Sequence, residues 1–138
     1  MKPPSAADRG TEPVDVCLDL DGDPTCIARA RDAATAYLAR RAPYVPSTFR
    51  MNLLLVVSEL VTNAVRHAPG PLTLCLDLLP DGLDVSVEDS SPTPPQSRVP
   101  DPRHGPGGYG WPIVQRLARQ VRIVPRHGGK AVHAVLTW

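Results

Sequence analysis

The sequence predicts an α+β fold, a two-layer sandwich with helices on one face of a largely antiparallel sheet. Short segments of period-two apolar alternation, bounded by Pro, Gly and Asp, read as strands. Two long Ala-, Leu- and Val-rich segments instead repeat their apolar residues at helical spacing. In chain order these run strand, helix, helix, strand, strand, long loop, helix, strand, strand. The chain has 138 residues, 42% hydrophobic and 21% charged, which suits a single domain with its own core.

Each element has a local reason. Residues 1–13 are polar and Pro-containing and read as a flexible tail, leaving 14–138 as one domain. Val14-Asp15-Val16-Cys17-Leu18-Asp19-Leu20 alternates mostly at period two and reads as a strand. Asp21-Gly22-Asp23-Pro24 is a turn, after which residues 25–41 read as a helix with Asp23 as N-cap and Pro24 in its first turn. Pro43 and Pro46 end that helix. Ser47 or Thr48 is the expected cap of the next, which runs to about Ala68 before Pro69-Gly70. On a helical wheel Leu54, Val57, Val61 and Val65 share one side, and Asn52, Glu59, Asn63 and Arg66 the other. Leu53–Val57 is apolar all round, so this helix is expected to be buried on most sides. Leu72–Leu79 and Leu83–Asp89 read as a hairpin around Pro80-Asp81-Gly82. Residues 90–108 form a Pro- and Gly-rich loop, too long for an ordinary connection and of a length that in compact domains is usually functional or disordered. Trp111 to Arg119 reads as a short helix, and Gln120–Pro125 and Lys130–Trp138 as a closing hairpin.

Composition narrows the function classes. No apolar run approaches the roughly 18–20 residues of a membrane span, and Met1-Lys2-Pro3-Pro4-Ser5 has no signal core, so a cytoplasmic location and no membrane partner are expected. Cys17, Cys26 and Cys75 form no CxxC pair and no Cys/His cluster, and are expected to be buried thiols. Net charge is +1 but unevenly spread. Residues 1–101 carry nine Lys/Arg against fourteen Asp/Glu, a net of −5, while 102–138 carry six Lys/Arg and no acid, a net of +6. The basic C-terminal third suits phosphates or an acidic partner. The few aromatics do not interleave with the arginines, which argues against direct nucleic-acid binding.

The chemistry centres on Ser58-Glu59-Leu60-Val61-Thr62-Asn63-Ala64-Val65-Arg66-His67. Residues at i and i+4 share a helix face, so Glu59 and Asn63 point into the same space. A metal-bound polyphosphate would satisfy both: the Asn63 oxygen is a hard ligand suited to Mg2+, and Glu59 is placed to take a proton from an attacking hydroxyl or water. Asp89 ends an alternating strand and opens into Ser90-Ser91-Pro92. A carboxylate there can accept from an exocyclic amine such as that of adenine. Gly105-Pro106-Gly107-Gly108-Tyr109-Gly110 fits GxGxxG literally, yet a Pro-rich loop precedes it and no acid follows, so the dinucleotide fold is rejected. What remains is a glycine-rich approach to a helix N-terminus, a phosphate site by its free N–H groups.

Together these segments resemble one family. Glu59-Leu-Val-Thr-Asn63 is similar to the N box of the GHKL ATPase superfamily. Asp89-Ser-Ser-Pro resembles its first glycine box, Gly108-Tyr-Gly110-Trp-Pro-Ile-Val its second and Gly129-Lys-Ala-Val-His-Ala its third. The order and spacing, over roughly residues 14–137, resemble the small actinobacterial anti-sigma-factor serine kinases. The resemblance implies a Bergerat-type sandwich with a mixed, mostly antiparallel sheet, binding ATP and Mg2+ under a lid at 90–108. It implies Glu59 as catalytic base, Asn63 as Mg2+ ligand and Asp89 as adenine reader. Gly108 and Gly110 would line the phosphates, with Arg66 and His67 approaching them. Ser91, Tyr109 and Trp111, inside the boxes, complete the nucleotide-contacting set. The implied reaction moves the ATP γ-phosphoryl to a serine of an anti-sigma-factor antagonist, and the same protein would sequester a sigma factor and form a homodimer through its first strand and helix. Ser91 and Thr93 replace the glycines of the first box, Tyr109 stands where this group often has Arg, Ala131 where a Thr is common beside the adenine, and His133 where Trp is usual. Two alternatives follow: a partner-binding module of the same fold without phosphotransfer, or an isolated ATPase or histidine-kinase-like domain.

Overall fold

The computed structural model describes residues 15–68, 70–93 and 110–138. The elements are β1 (Val16–Leu20), α1 (Cys26–Arg41), α2 (Ser47–His67), β2 (Leu72–Leu79), β3 (Gly82–Asp89), α3 (Gly110–Leu117), β4 (Gln120–Arg126) and β5 (Gly129–Thr137). This is the expected order. Of the expected lid at 90–108, only 90–93 fall among the described residues, and the expected tail at 1–13 lies outside them.

The five strands form one sheet in the order β1-β2-β3-β5-β4, and every neighbouring pair is antiparallel. The mixed sheet implied by resemblance is therefore antiparallel throughout. Strands β3 and β4, joined through α3, do run the same way, but β5 lies between them and pairs with both. The β2–β3 and β4–β5 connections are the expected hairpins.

Alternation sorts the strands into two faces. Leu74, Leu76, Leu83, Val85, Val87, Val132, Ala134 and Leu136 are buried on the inner face. Against them pack Ala30, Ala34, Tyr37 and Leu38 of α1, Phe49, Leu53, Val57 and Val61 of α2, and Trp111 and Val114 of α3. Burying a Leu- or Val-sized side chain contributes about 1.5–3 kcal/mol, so this layer is the main source of stability. Helix α2 is not covered all round: Met51 is 68% and Leu55 39% exposed. Its Leu53–Val57 run is apolar on every side, but only the faces toward the sheet, α1 and α3 find partners.

Neither expected cap is the one observed. Thr25 occupies the N-cap of α1 and makes no side-chain cap bond. Asp23, two residues earlier, only closes the preceding turn: its Oδ1 accepts the Thr25 N–H at 2.8 Å and the Thr25 hydroxyl, and its carbonyl accepts from Cys26 N–H. Those hydrogen bonds hold the Asp23 carboxyl below its usual range. Neither Ser47 nor Thr48 caps α2. Pro46 occupies the N-cap in an extended conformation, which puts Ser47 already inside the first turn, and no side-chain cap is made.

The cysteines also correct the expectation. Cys17 and Cys75 are joined by a disulfide, and Cys26 is the free, buried thiol. The antiparallel register sets Cys17 directly opposite Cys75, with Cα atoms 4.1 Å apart. Fifty-eight residues separate the two in sequence, so only the register reveals the pair.

The outer face of the sheet is polar and internally matched. Asp84, 8% exposed, faces His133 Nδ1 at 3.2 Å and Arg122 at 3.8 Å. Arg126 pairs with Glu88 at 3.2 Å. No helix among the described residues is long and apolar enough to cross a membrane.

Candidate functional site

Helix α2 carries Glu59 and Asn63 one turn apart, and α3 begins against them. The closeness is set by Gly110. A Cβ built there would lie 2.1 Å from Glu59 Oε2 and 3.1 Å from its carboxyl carbon. The first residue of α3 has to be glycine for the Glu59 carboxylate to occupy that space. Burial raises the Glu59 carboxyl above its ordinary value, and the Arg66 charge two turns along partly opposes the shift. A carboxyl raised in this way is a stronger proton acceptor, once ionised, than an ordinary glutamate.

Asn63 supplies the second observation. Its side-chain nitrogen is buried and has no hydrogen-bond partner among the described residues. An orphaned amide costs about 1–3 kcal/mol, and such groups in native structures call for a reason. Beside a carboxylate and a glycine-opened helix N-terminus, a bound polyphosphate with its cation would complete the amide. Among the described residues no group of three or more His, Cys, Asp or Glu could hold a metal by itself.

Asp89 lies at the end of β3 on the inner face, in register with Lys130 of β5. Lys130 Nζ donates to Asp89 Oδ1 and Oδ2, both at 2.9 Å, and to the Ser91 carbonyl at 3.1 Å. The Ser91 N–H donates to Asp89 Oδ1 at 3.0 Å. The two charged side chains are 5% and 4% exposed. Gly129 lets the strands approach here: a Cβ on it would lie 1.9 Å from the Asp89 carbonyl oxygen. Ala131, expected beside the base, pairs with Glu88 and therefore faces the other side of the sheet. The side chain next to Asp89 is Lys130, the first residue of the expected last strand. Its sequence signal is a lone Lys opening an apolar strand, Lys130-Ala-Val-His-Ala-Val.

Both groups lie on the helix-covered side of the sheet. The loop leaving α2 returns toward the end of β3, where a Cβ on Gly70 would sit 4.0 Å from Ser90 Oγ. Arg66 and His67 are exposed in the last turn of α2, where positive charge also suits the helix dipole. Trp111, 8% exposed, is part of the core. Gly108 and Tyr109 lie outside the described residues.

Residues 20–136 match the Histidine kinase-like ATPase domain family, and the chain belongs to that family. Membership makes the domain a GHKL-type one and implies ATP binding. No curated protein matches the sequence. Among solved structures, the RsbU and RsbW domains of Rv1364c from Mycobacterium tuberculosis superpose with a TM-score of 0.59 at 16% identity, covering 88% of this chain and 32% of that one. The histidine kinase domain of the Erythrobacter litoralis EL346 blue-light activated histidine kinase gives 0.51 at 23% identity, covering 82% and 59%. This chain thus spans less than two thirds of either neighbour, and at these identities the likeness is one of fold.

Proposed function

We propose that this chain is a Mg-ATP-dependent protein serine/threonine kinase. In this reading it phosphorylates a serine of an anti-sigma-factor antagonist, binds a sigma factor, and works in the cytoplasm. The observation that carries the reading is the Glu59 carboxylate seated on the first residue of α3, one helical turn from the orphaned Asn63 amide. Family membership and the fold shared with an RsbW-containing protein support it.

Asp89 accepts from the adenine amine, and the N–H groups at the start of α3 receive the phosphates together with Gly108, Tyr109 and Gly110. Ser91 and Trp111 stand at the margins of that pocket. Asn63 offers its oxygen to the Mg2+, while Arg66 and His67 supply positive charge at the end of α2. Bound Mg2+ would neutralise charge on the transferring phosphoryl group. Glu59 takes the serine proton as the hydroxyl attacks, and its raised carboxyl matches that task.

Calorimetric titration of Mg-ATP, followed by transfer to a candidate antagonist, tests the reading. The expected results are micromolar binding, weakened in Asp89→Asn, a Mg2+-dependent loss in Asn63→Ala, and phosphoserine on the antagonist. Absence of nucleotide binding by the folded parent would leave a partner-binding module. ATP hydrolysis without transfer would leave an isolated ATPase. The module reading rests on Ala131 and on the Pro-rich lid at 90–108; Ala131 faces away from Asp89, and residues 94–108 of the lid lie outside the described residues.

A further inference from the structure

Resting on the ATP reading above, we infer that Lys130 is the positioning residue of the base-reading carboxylate and so sets selectivity for a 6-amino purine. The argument is a count of donors and acceptors. An ammonium has three N–H donors. Those of Lys130 meet Asp89 Oδ1, Asp89 Oδ2 and the Ser91 carbonyl. None is left for a ligand, so Lys130 acts through Asp89.

A carboxylate has about four acceptor sites, two on each oxygen. Oδ1 receives Lys130 and the Ser91 N–H, which fills it. Among the described residues Oδ2 receives Lys130 alone, which leaves it an acceptor site. The carboxylate is thereby fixed in rotation and open at one oxygen. An acceptor-only group reads a donor. Adenine presents its amine there. Inosine and guanine carry a carbonyl at the same ring position, which would face the carboxylate oxygen as a second acceptor.

The pair is also placed for this task. Asp89 and Lys130 are in register on the helix-covered face, and both side chains are at least 95% buried. A buried ion pair is weak evidence for stability, since well-packed apolar residues often do as well. Here its further effect is to leave one defined acceptor.

The experiment is calorimetric titration of Mg-ATP and Mg-ITP into the parent, Lys130→Met, Lys130→Gln and Lys130→Arg, with circular dichroism confirming folding. The parent is expected to prefer ATP by roughly 10- to 100-fold, the worth of one hydrogen bond to a charged acceptor. Lys130→Met is expected to bring the ATP:ITP ratio close to one, and Lys130→Arg to retain part of the preference. Should Lys130→Met fail to fold, Lys130→Gln, which keeps Asp89 and removes the charge, decides: its ATP:ITP ratio is expected to fall toward one. A merely structural lysine predicts lower stability with the ratio unchanged, and that result in Lys130→Met or Lys130→Gln overturns the inference. A parent that binds ATP and ITP equally well overturns it while leaving the ATP reading intact. A folded parent that binds neither nucleotide overturns both.

Discussion

Replacing Gly110 with alanine separates the position of Glu59 from the stability of the fold. The added Cβ would lie 2.1 Å from Glu59 Oε2, 3.1 Å from its carboxyl carbon and 3.7 Å from its Cβ. Ordinary van der Waals contact begins at 3.4 Å, so the carboxylate oxygen must retreat by roughly 1.3 Å. The obstructing atom is the far end of a flexible side chain, not backbone, so it can swing aside. Alanine is also a better helix former than glycine by up to about 1 kcal/mol. The variant should therefore stay folded, with stability within about 1 kcal/mol of the parent. Phosphotransfer should not survive as well, because a misplacement of about 1 Å at a reacting group costs on the order of 100-fold. The assay is single-turnover transfer from labelled Mg-ATP to the antagonist, run beside thermal melts and a Glu59→Gln control. A folded Gly110→Ala protein with parental turnover, where Glu59→Gln is inactive, would refute the idea that Gly110 holds Glu59 in place. Full turnover in both would remove Glu59 from the role of base.

Three further outcomes follow from the same geometry. Asn63→Ala removes a buried amide that costs about 1–3 kcal/mol unpaired, so thermal melts of the ligand-free protein should show little loss of stability, while Mg2+ should cease to improve nucleotide affinity. The Glu59 carboxyl is raised above 4.5 by burial, so its stabilising contribution is complete below that value and is lost as pH rises through the folded-state value. The melting temperature of Glu59→Gln relative to the parent should therefore climb as pH rises above 4.5, and parental phosphotransfer should rise over the same window as the base ionises; a flat difference would contradict the assigned shift. Reducing the Cys17–Cys75 bond, which closes a separation of 58 residues, should cost about 4 kcal/mol by chain entropy. That corresponds to roughly 10–15 °C in a domain of this size, and dithiothreitol should not move the melting point of Cys17→Ser.

Local signals made much of this fold legible. The β2–β3 hairpin is set by alternation and a Pro-Asp turn, and its side chains sort to the two faces as the pattern requires. Glu59 and Asn63 share a face because helical spacing leaves no other choice. Non-local facts were not legible. The Cys17–Cys75 bond depends on the register of β1 against a strand reached only after two helices. The role of Lys130 depends on β5 lying beside β3, which nothing within Gly128-Gly129-Lys130 announces. Similarly, resemblance sets Ala131 beside the adenine, but one residue along a strand is the opposite face, and it is Lys130 that lies in register with Asp89. Ser47 was a sound cap by residue type, and Pro46 displaced it by taking the extended position itself.

The Cys17–Cys75 bond also keeps a record of how the chain assembled. Strand β1 is an edge strand of five residues, and it reaches β2 only after the chain has traversed α1 and α2. Sliding it by one residue would turn Cys17 toward the helices and Leu18 toward water, and Cys17 would stand opposite Leu74 or Leu76 instead of a thiol. Among the sheet registers, only the native one sets the two thiols opposite each other. A refolding chain that still reacts with thiol reagents at Cys17 and Cys75 has not closed this bond, and the fall in that reactivity times the closure that ties β1 to β2.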